Sequence, residues 1–135
     1  MERLVSALKV TEQNLQVLHR NIHGKEFFTA HNLLEEYYRY IGDMTDEIIE
    51  LFMSLGFIEP SIEKAIKSFD SLSGGRITVA SALSLVRDMF LELIGLIDKA
   101  KETLPHDVSD MLEEHKRWLR LEANYKIARF LNIFE

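Results

Sequence analysis

Four side chains in one stretch of this sequence have the types and the spacing to hold a metal ion. Residues 18–55 read LHRNIHGKEFFTAHNLLEEYYRYIGDMTDEIIELFMSL and contain His31 with Glu35, then Asp46 with Glu50. Each pair is spaced i, i+4, which stacks its members on one face of a helix. Imidazole nitrogen combined with carboxylate oxygen suits Fe(II), and Mn or Zn fit the same donors. The chain has no cysteine, so disulfide frameworks and zinc–thiolate sites are excluded. At about 1.5 Å of rise per residue, the midpoints of the two pairs lie roughly 22 Å apart. No single ion spans that distance within one chain.

The helix that carries them has its own inward face. Phe27, Leu34, Ile41, Ile48 and Leu55 recur every seven residues, interleaved with Tyr37, Met44 and Leu51, so one apolar stripe runs along the segment. The four candidate ligands project roughly 110–210° away from that stripe, outward from the bundle core. Two copies of the helix, antiparallel about a two-fold axis and crossing near Tyr40 and Ile41, resolve the spacing. His31 then faces Glu50 of the partner subunit, and Glu35 faces Asp46 of the partner subunit. The same register sets Phe28 opposite Met53 and Asn32 opposite Ile49, and it brings Gly42 close to the axis, where backbones approach. Apolar residues on an outward face require a partner. The sequence therefore predicts an isologous dimer with two seam sites, each built from both chains.

The remaining elements position this helix. Leu4, Leu8, Thr11, Leu15, Leu18 and Ile22 mark a first helix over about residues 2–22, with Gly24 placed as its left-handed terminator. The short connection forces an antiparallel hairpin. His19 lies about as far before the turn as His31 lies after it, on the flank toward the seam, and becomes a fifth candidate ligand. Residues 56–78 form a long connection with Pro60 and a short helical run over 61–69. It is long enough to cross a bundle of roughly 40 Å, so the third helix runs parallel to the second. Val79, Leu83, Val86, Phe90, Leu93, Ile97, Ala100 and Leu104 mark that third helix, with Thr78 as N-cap. A fourth follows Pro105 to about Leu131, with Leu112, Leu119, Lys126 and Phe130 on one line and Met111, Trp118 and Tyr125 on the next. The reading is an all-α four-helix bundle with one long crossover, a single domain over residues 1–135.

Of the 135 residues, 47% are hydrophobic and the formal net charge is −6. No apolar run approaches the ~20 residues of a membrane span, and Met1-Glu-Arg-Leu lacks the pattern of a signal peptide, so a soluble cytoplasmic protein is expected. Without a Lys/Arg tract, a small cation is a more natural partner than DNA. The Glu-x-x-His motif of di-iron bundles is missing: Gln16, Arg20, Phe28, Thr103 and Leu112 stand three residues before His19, His23, His31, His106 and His115. Blander assignments stand beside the metal site. On a helix taken at random Asp46 and Glu50 read first as a solvated acidic face, His31 and Glu35 as a surface hydrogen bond, and His23 as a helix C-cap. Like charges at i, i+4 destabilise a helix, however, and a cation bound by Asp46 and Glu50 removes that penalty; Asp43 with Glu47 repeats the repulsion beside them and, like Glu36, reads as surface charge. Phe27, Phe28, Tyr37, Tyr38 and Tyr40 serve packing, although a tyrosine beside an oxidising iron site can also intercept radicals. The rival to a metal enzyme is a non-enzymatic helical protein whose seam merely dimerises.

The stretch LHRNIHGKEFFTAHNLLEEYYRYIGDMTDEIIELFMSLG resembles the signature of the Dps proteins, the DNA-protecting mini-ferritins, over about 40 residues. Matched residue by residue, the family's ferroxidase ligands fall on His19, His31, Glu35, Asp46 and Glu50. The resemblance implies a ferritin-like four-helix subunit with a short helix in its crossover, sites shared across a two-fold dimer, and a hollow dodecamer. It implies oxidation of Fe(II) by hydrogen peroxide in preference to oxygen, iron storage as ferric mineral, and protection against oxidative damage. Asp107 and Asp110, with Glu113, match the acidic residues that line the family's ion pores. The sequence departs from the pattern at Arg20, where a tryptophan is usual, and at Glu35, where the third ligand is usually aspartate. The lysine-rich tail that many members use on DNA has no counterpart, so DNA binding is not expected.

Overall fold

The computed structural model describes residues 1–133, and its fold is all-α and ferritin-like, a four-helix bundle. The chain divides into two compact units, Met1–Ala82 and a second beginning at Leu83.

The first unit is built on a helical hairpin. Helix α1 spans Glu2–Asn21 and α2 spans Phe27–Met53. The stripe predicted for α1 is buried throughout, from Leu4 to Ile22. In α2, Leu34, Tyr37, Ile41, Met44 and Ile48 are buried as the seven-residue repeat requires. Leu55 is not: α2 ends at Met53, and Leu55 lies beyond it in a turn, 42% exposed. Ile49 is another correction, being 8% exposed within its own chain and so already partnered.

Gly24 has φ +104, the left-handed conformation favoured by glycine, but it does not cap α1. The chain leaves α1 at Ile22 in extended conformation, and β1 (Ile22–His23) pairs in parallel with β2 (Ile77–Thr78). β-branched Ile22, Ile77 and Thr78 suit this pair. His23 is thus a strand residue opposite Thr78 rather than a helix cap.

The crossover is tied to α1 by two asparagines seven residues apart. Asn14 donates its Nδ2 hydrogen to the Asp70 carbonyl at 3.0 Å and accepts the Leu72 amide on Oδ1 at 2.8 Å. Asn21 accepts the Gly75 amide at 3.2 Å. These contacts satisfy backbone groups that an irregular segment leaves unpaired. The helix inside the crossover, α3 (Ile62–Ala65), is shorter than the 61–69 run expected; Ser61 caps it, accepting the Lys64 amide at 3.2 Å.

Helix α4 (Val79–Lys101) is capped as expected, the Thr78 hydroxyl accepting the Ser81 amide at 3.2 Å. Its periodic positions from Val79 to Ala100 are all buried. In the second unit, α5 (His106–Arg120) continues through a π-helical segment, Leu121–Ile127, into α6 (Ala128–Phe130). The wider i→i+5 turns of that segment rotate the inward face. Leu112 and Leu119 are buried as expected, but the stripe continues through Ala123 and Ile127 and leaves Lys126 and Phe130 exposed.

Candidate metal centre

The hairpin brings the first three candidates together. His19 comes from the last turn of α1, and His31 and Glu35 from the first turns of α2. The two imidazole rings stack with centroids 3.9 Å apart, and Phe27 also stacks with His31 at 5.2 Å. Nδ1 of His31 lies 2.9 Å from the main-chain carbonyl of His19. A carbonyl only accepts, so Nδ1 carries the hydrogen and, in the neutral ring, Nε2 keeps a free lone pair. A second hydrogen bond of this kind is what commonly fixes the tautomer of a metal-ligating histidine.

The His19 side chain is only 13% exposed. Both its ring nitrogens are buried without a hydrogen-bond partner, and Oε1 of Glu35 stands 3.8 Å from Nε2. Burial pushes the His19 pKa below its ordinary value; His31 adds to the shift, Glu35 opposes it, and Arg20 and Arg39 add smaller effects. The neutral imidazole so favoured is the form that ligates metals.

Asp46 and Glu50 are exposed on α2 and remote from this trio. α2 is continuous from Phe27 to Met53, so the separation of roughly 22 Å stands. Among the described residues, no group of three or more His, Asp or Glu side chains is arranged to hold a metal. One chain places two histidines and a carboxylate at one end of α2, and two carboxylates toward the other.

No protein-family model matches the chain. The DNA protection during starvation protein of Brevibacillus brevis is 30% identical over 122 residues, covering 84% of this chain and 80% of the relative. The chain belongs to the Dps family. The Listeria monocytogenes protein of the same name is 27% identical over 118 residues, 77% of this chain and 74% of its own length. Among solved structures, antigen TpF1 from Treponema pallidum superimposes with a TM-score of 0.89 at 26% identity over 96% of this chain and 87% of that one. A Dps protein from Bacillus brevis gives 0.88 at 26% identity, over 96% and 91%.

In this Dps-family chain three side chains flank the candidate ligands, and two of them, Glu12 and Arg39, escaped the sequence reading. Glu12 lies against Gly42, one turn before Asp46. Arg39 approaches Glu35, its Nε 3.9 Å from Oε2. Tyr38 meets His19 edge-on at 5.3 Å. The i, i+4 spacing of Glu35 and Arg39 was the available signal for one of them. Of the acids assigned to a pore, Asp107 and Asp110 are exposed in the first turns of α5, whereas Glu113 is ion-paired with Lys101. The hydrogen bond from Lys101 holds the Glu113 carboxyl below its ordinary pKa, opposed by burial and aided by Lys116.

Proposed function

We propose that this protein is a ferroxidase and iron-storage subunit, a single ferritin-like domain over residues 1–135. It oxidises Fe(II) with hydrogen peroxide or oxygen at sites shared between subunits and stores the ferric product inside a hollow oligomer. The observation that carries this reading is His19: two buried ring nitrogens without hydrogen-bond partners, beside a second imidazole whose Nε2 keeps a lone pair in the neutral ring. A buried polar atom without a partner is costly, and an ion is one of the few partners that removes the cost for an unprotonated nitrogen.

In the proposed site, His19, His31 and Glu35 hold Fe(II) together with Asp46 and Glu50 of the partner subunit. The carboxylates offset the charge of the ion, while the imidazoles supply lone pairs. Iron is here the substrate, and two Fe(II) ions supply the electron pair that reduces one peroxide. The chain itself binds and orients. Two-fold dimers assembling into a dodecamer, a cytoplasmic location, and Mn or Zn as competitors for the donors belong to the same proposal.

The test is anaerobic loading with Fe(II) followed by peroxide or oxygen. Saturable formation of ferric absorbance above buffer is expected, and it should be lost in His19→Ala with His31→Ala. A rate no higher than that of free Fe(II) in buffer would leave only the dimerisation reading.

A further inference from the structure

Arg39 places a cation beside the proposed metal centre. Arg39 sits one turn after Glu35 on α2, its Nε 3.9 Å from Oε2, while the other oxygen of the same carboxylate faces His19 Nε2 at 3.8 Å. The Arg39 guanidinium also lies over the Tyr38 ring, 5.7 Å from its centroid, and Tyr38 in turn meets the His19 ring edge-on at 5.3 Å. Glu35, Arg39, Tyr38 and His19 thus close a ring of contacts.

From this geometry we infer that Arg39 is a positioning residue that holds the Glu35 carboxylate and competes with a divalent ion for it. The inference rests on the proposed metal centre. A divalent ion bound by Glu35 and the imidazoles meets the guanidinium as a like charge at close range, so loading requires Arg39 to release the carboxylate. Before an ion binds, the same contact restrains the carboxylate, which spares Glu35 part of the entropy of ordering. The two effects oppose each other. Arg39 is 67% exposed and can swing into solvent, so the repulsive effect dominates the affinity and is screened by salt.

The experiment uses the full-length assembled protein, with Zn(II) as a probe that undergoes no redox chemistry. Arg39→Gln removes the charge at similar length; Arg39→Lys keeps the charge and loses the planar fork. Calorimetric titration at low ionic strength should show Arg39→Gln binding Zn(II) about two- to fivefold more tightly than wild type, the scale of one exposed ion pair. The gain should shrink with added salt, and Arg39→Lys should stay close to wild type. In a Glu35→Gln background, Arg39→Gln should change Zn(II) affinity far less, because the coupling runs through that carboxylate. Thermal melting verifies that each variant folds. Equal or weaker binding by Arg39→Gln, or a gain undiminished in the Glu35→Gln background, overturns the inference while wild-type binding still supports the proposed centre. No saturable binding by wild type or variant overturns both.

Discussion

The carboxylate of Glu12 occupies the space that a side chain at residue 42 would fill: a Cβ built on Gly42 would stand 2.9 Å from Glu12 Oε2. Burial raises the Glu12 pKa above its ordinary value near 4.5, and Asp46, then Asp43, raise it further. The folded chain therefore binds that proton more tightly than the unfolded chain. Its contribution is fully present below 4.5 and is lost as pH rises through the folded value. Glu12→Gln should raise stability at pH 7 by a few tenths of a kcal/mol, the scale of one like-charge repulsion. Denaturant melts at pH 7 and below pH 4.5 check this; a gain that persists unchanged on acidification would contradict it.

Gly42→Ala separates the single chain from the dimer. Within the chain, alanine favours a helix interior by up to about 1 kcal/mol over glycine, and the new methyl displaces only the tip of a flexible glutamate. A loss of stability has no cause inside the chain. If α2 crosses its copy near Gly42, the methyl holds the two backbones apart. Analytical ultracentrifugation should show dissociation at higher protein concentration than wild type, with the helical signal retained.

Asn14→Ala strips the crossover of an acceptor for the Leu72 amide and a donor for the Asp70 carbonyl. Asn14 is buried, at 4% exposure, and leaving such groups unpaired costs on the order of 2 kcal/mol. Asn14→Asp restores the acceptor alone and should recover part of the loss. A melting temperature unchanged in both variants would show that the crossover is held by other contacts.

A mixed dimer tests the proposal that the site is shared between chains. In one variant His31 and Glu35 become alanine, and in another Asp46 and Glu50 do; either homodimer has both seam sites damaged. Co-refolding places both lesions in one site of the heterodimer and leaves the other site whole. Isolated heterodimers should bind about half as much Fe(II) as wild type, and a statistical mixture about a quarter. Heterodimers that bind no more than either parent rule out a site completed by the second chain.

Binding to linear duplex DNA at near-physiological salt should be weak. Each chain carries a net charge of −6, and an assembly multiplies it, so neutralising phosphates releases few counterions. A mobility shift in the absence of bridging divalent cations would contradict this expectation.

The hairpin, and the grouping of His19, His31 and Glu35 at its turn end, were legible because helix periodicity fixes both the buried stripe and its opposite face. His31 and Glu35 could be placed from spacing alone, and His19 from the symmetry of a short turn. The elements that escaped depend on contacts between segments far apart in sequence. Nothing local marks Asn14 or Asn21 as anchors, since their partners lie more than 50 residues away. The π-helical stretch of Leu121–Ile127 shifts the buried face without any proline or glycine to announce it. Ile49 reads as an outward apolar residue only while the stripe is taken to be narrow; its burial shows a wider inward face.

The pairing of Ile22 with Ile77 closes a loop of roughly 55 residues around α2 and the crossover, and the entropy of that closure must be met before the strands gain their ladder bonds. The hairpin of α1 and α2 needs only a short turn and can form early, with this small latch closing after it. Its amides then measure something the helices do not. In native-state hydrogen exchange they should become unprotected at lower denaturant than the centre of α2, reporting a partial opening in which the crossover lifts away while the helix that carries His31 and Glu35 remains folded.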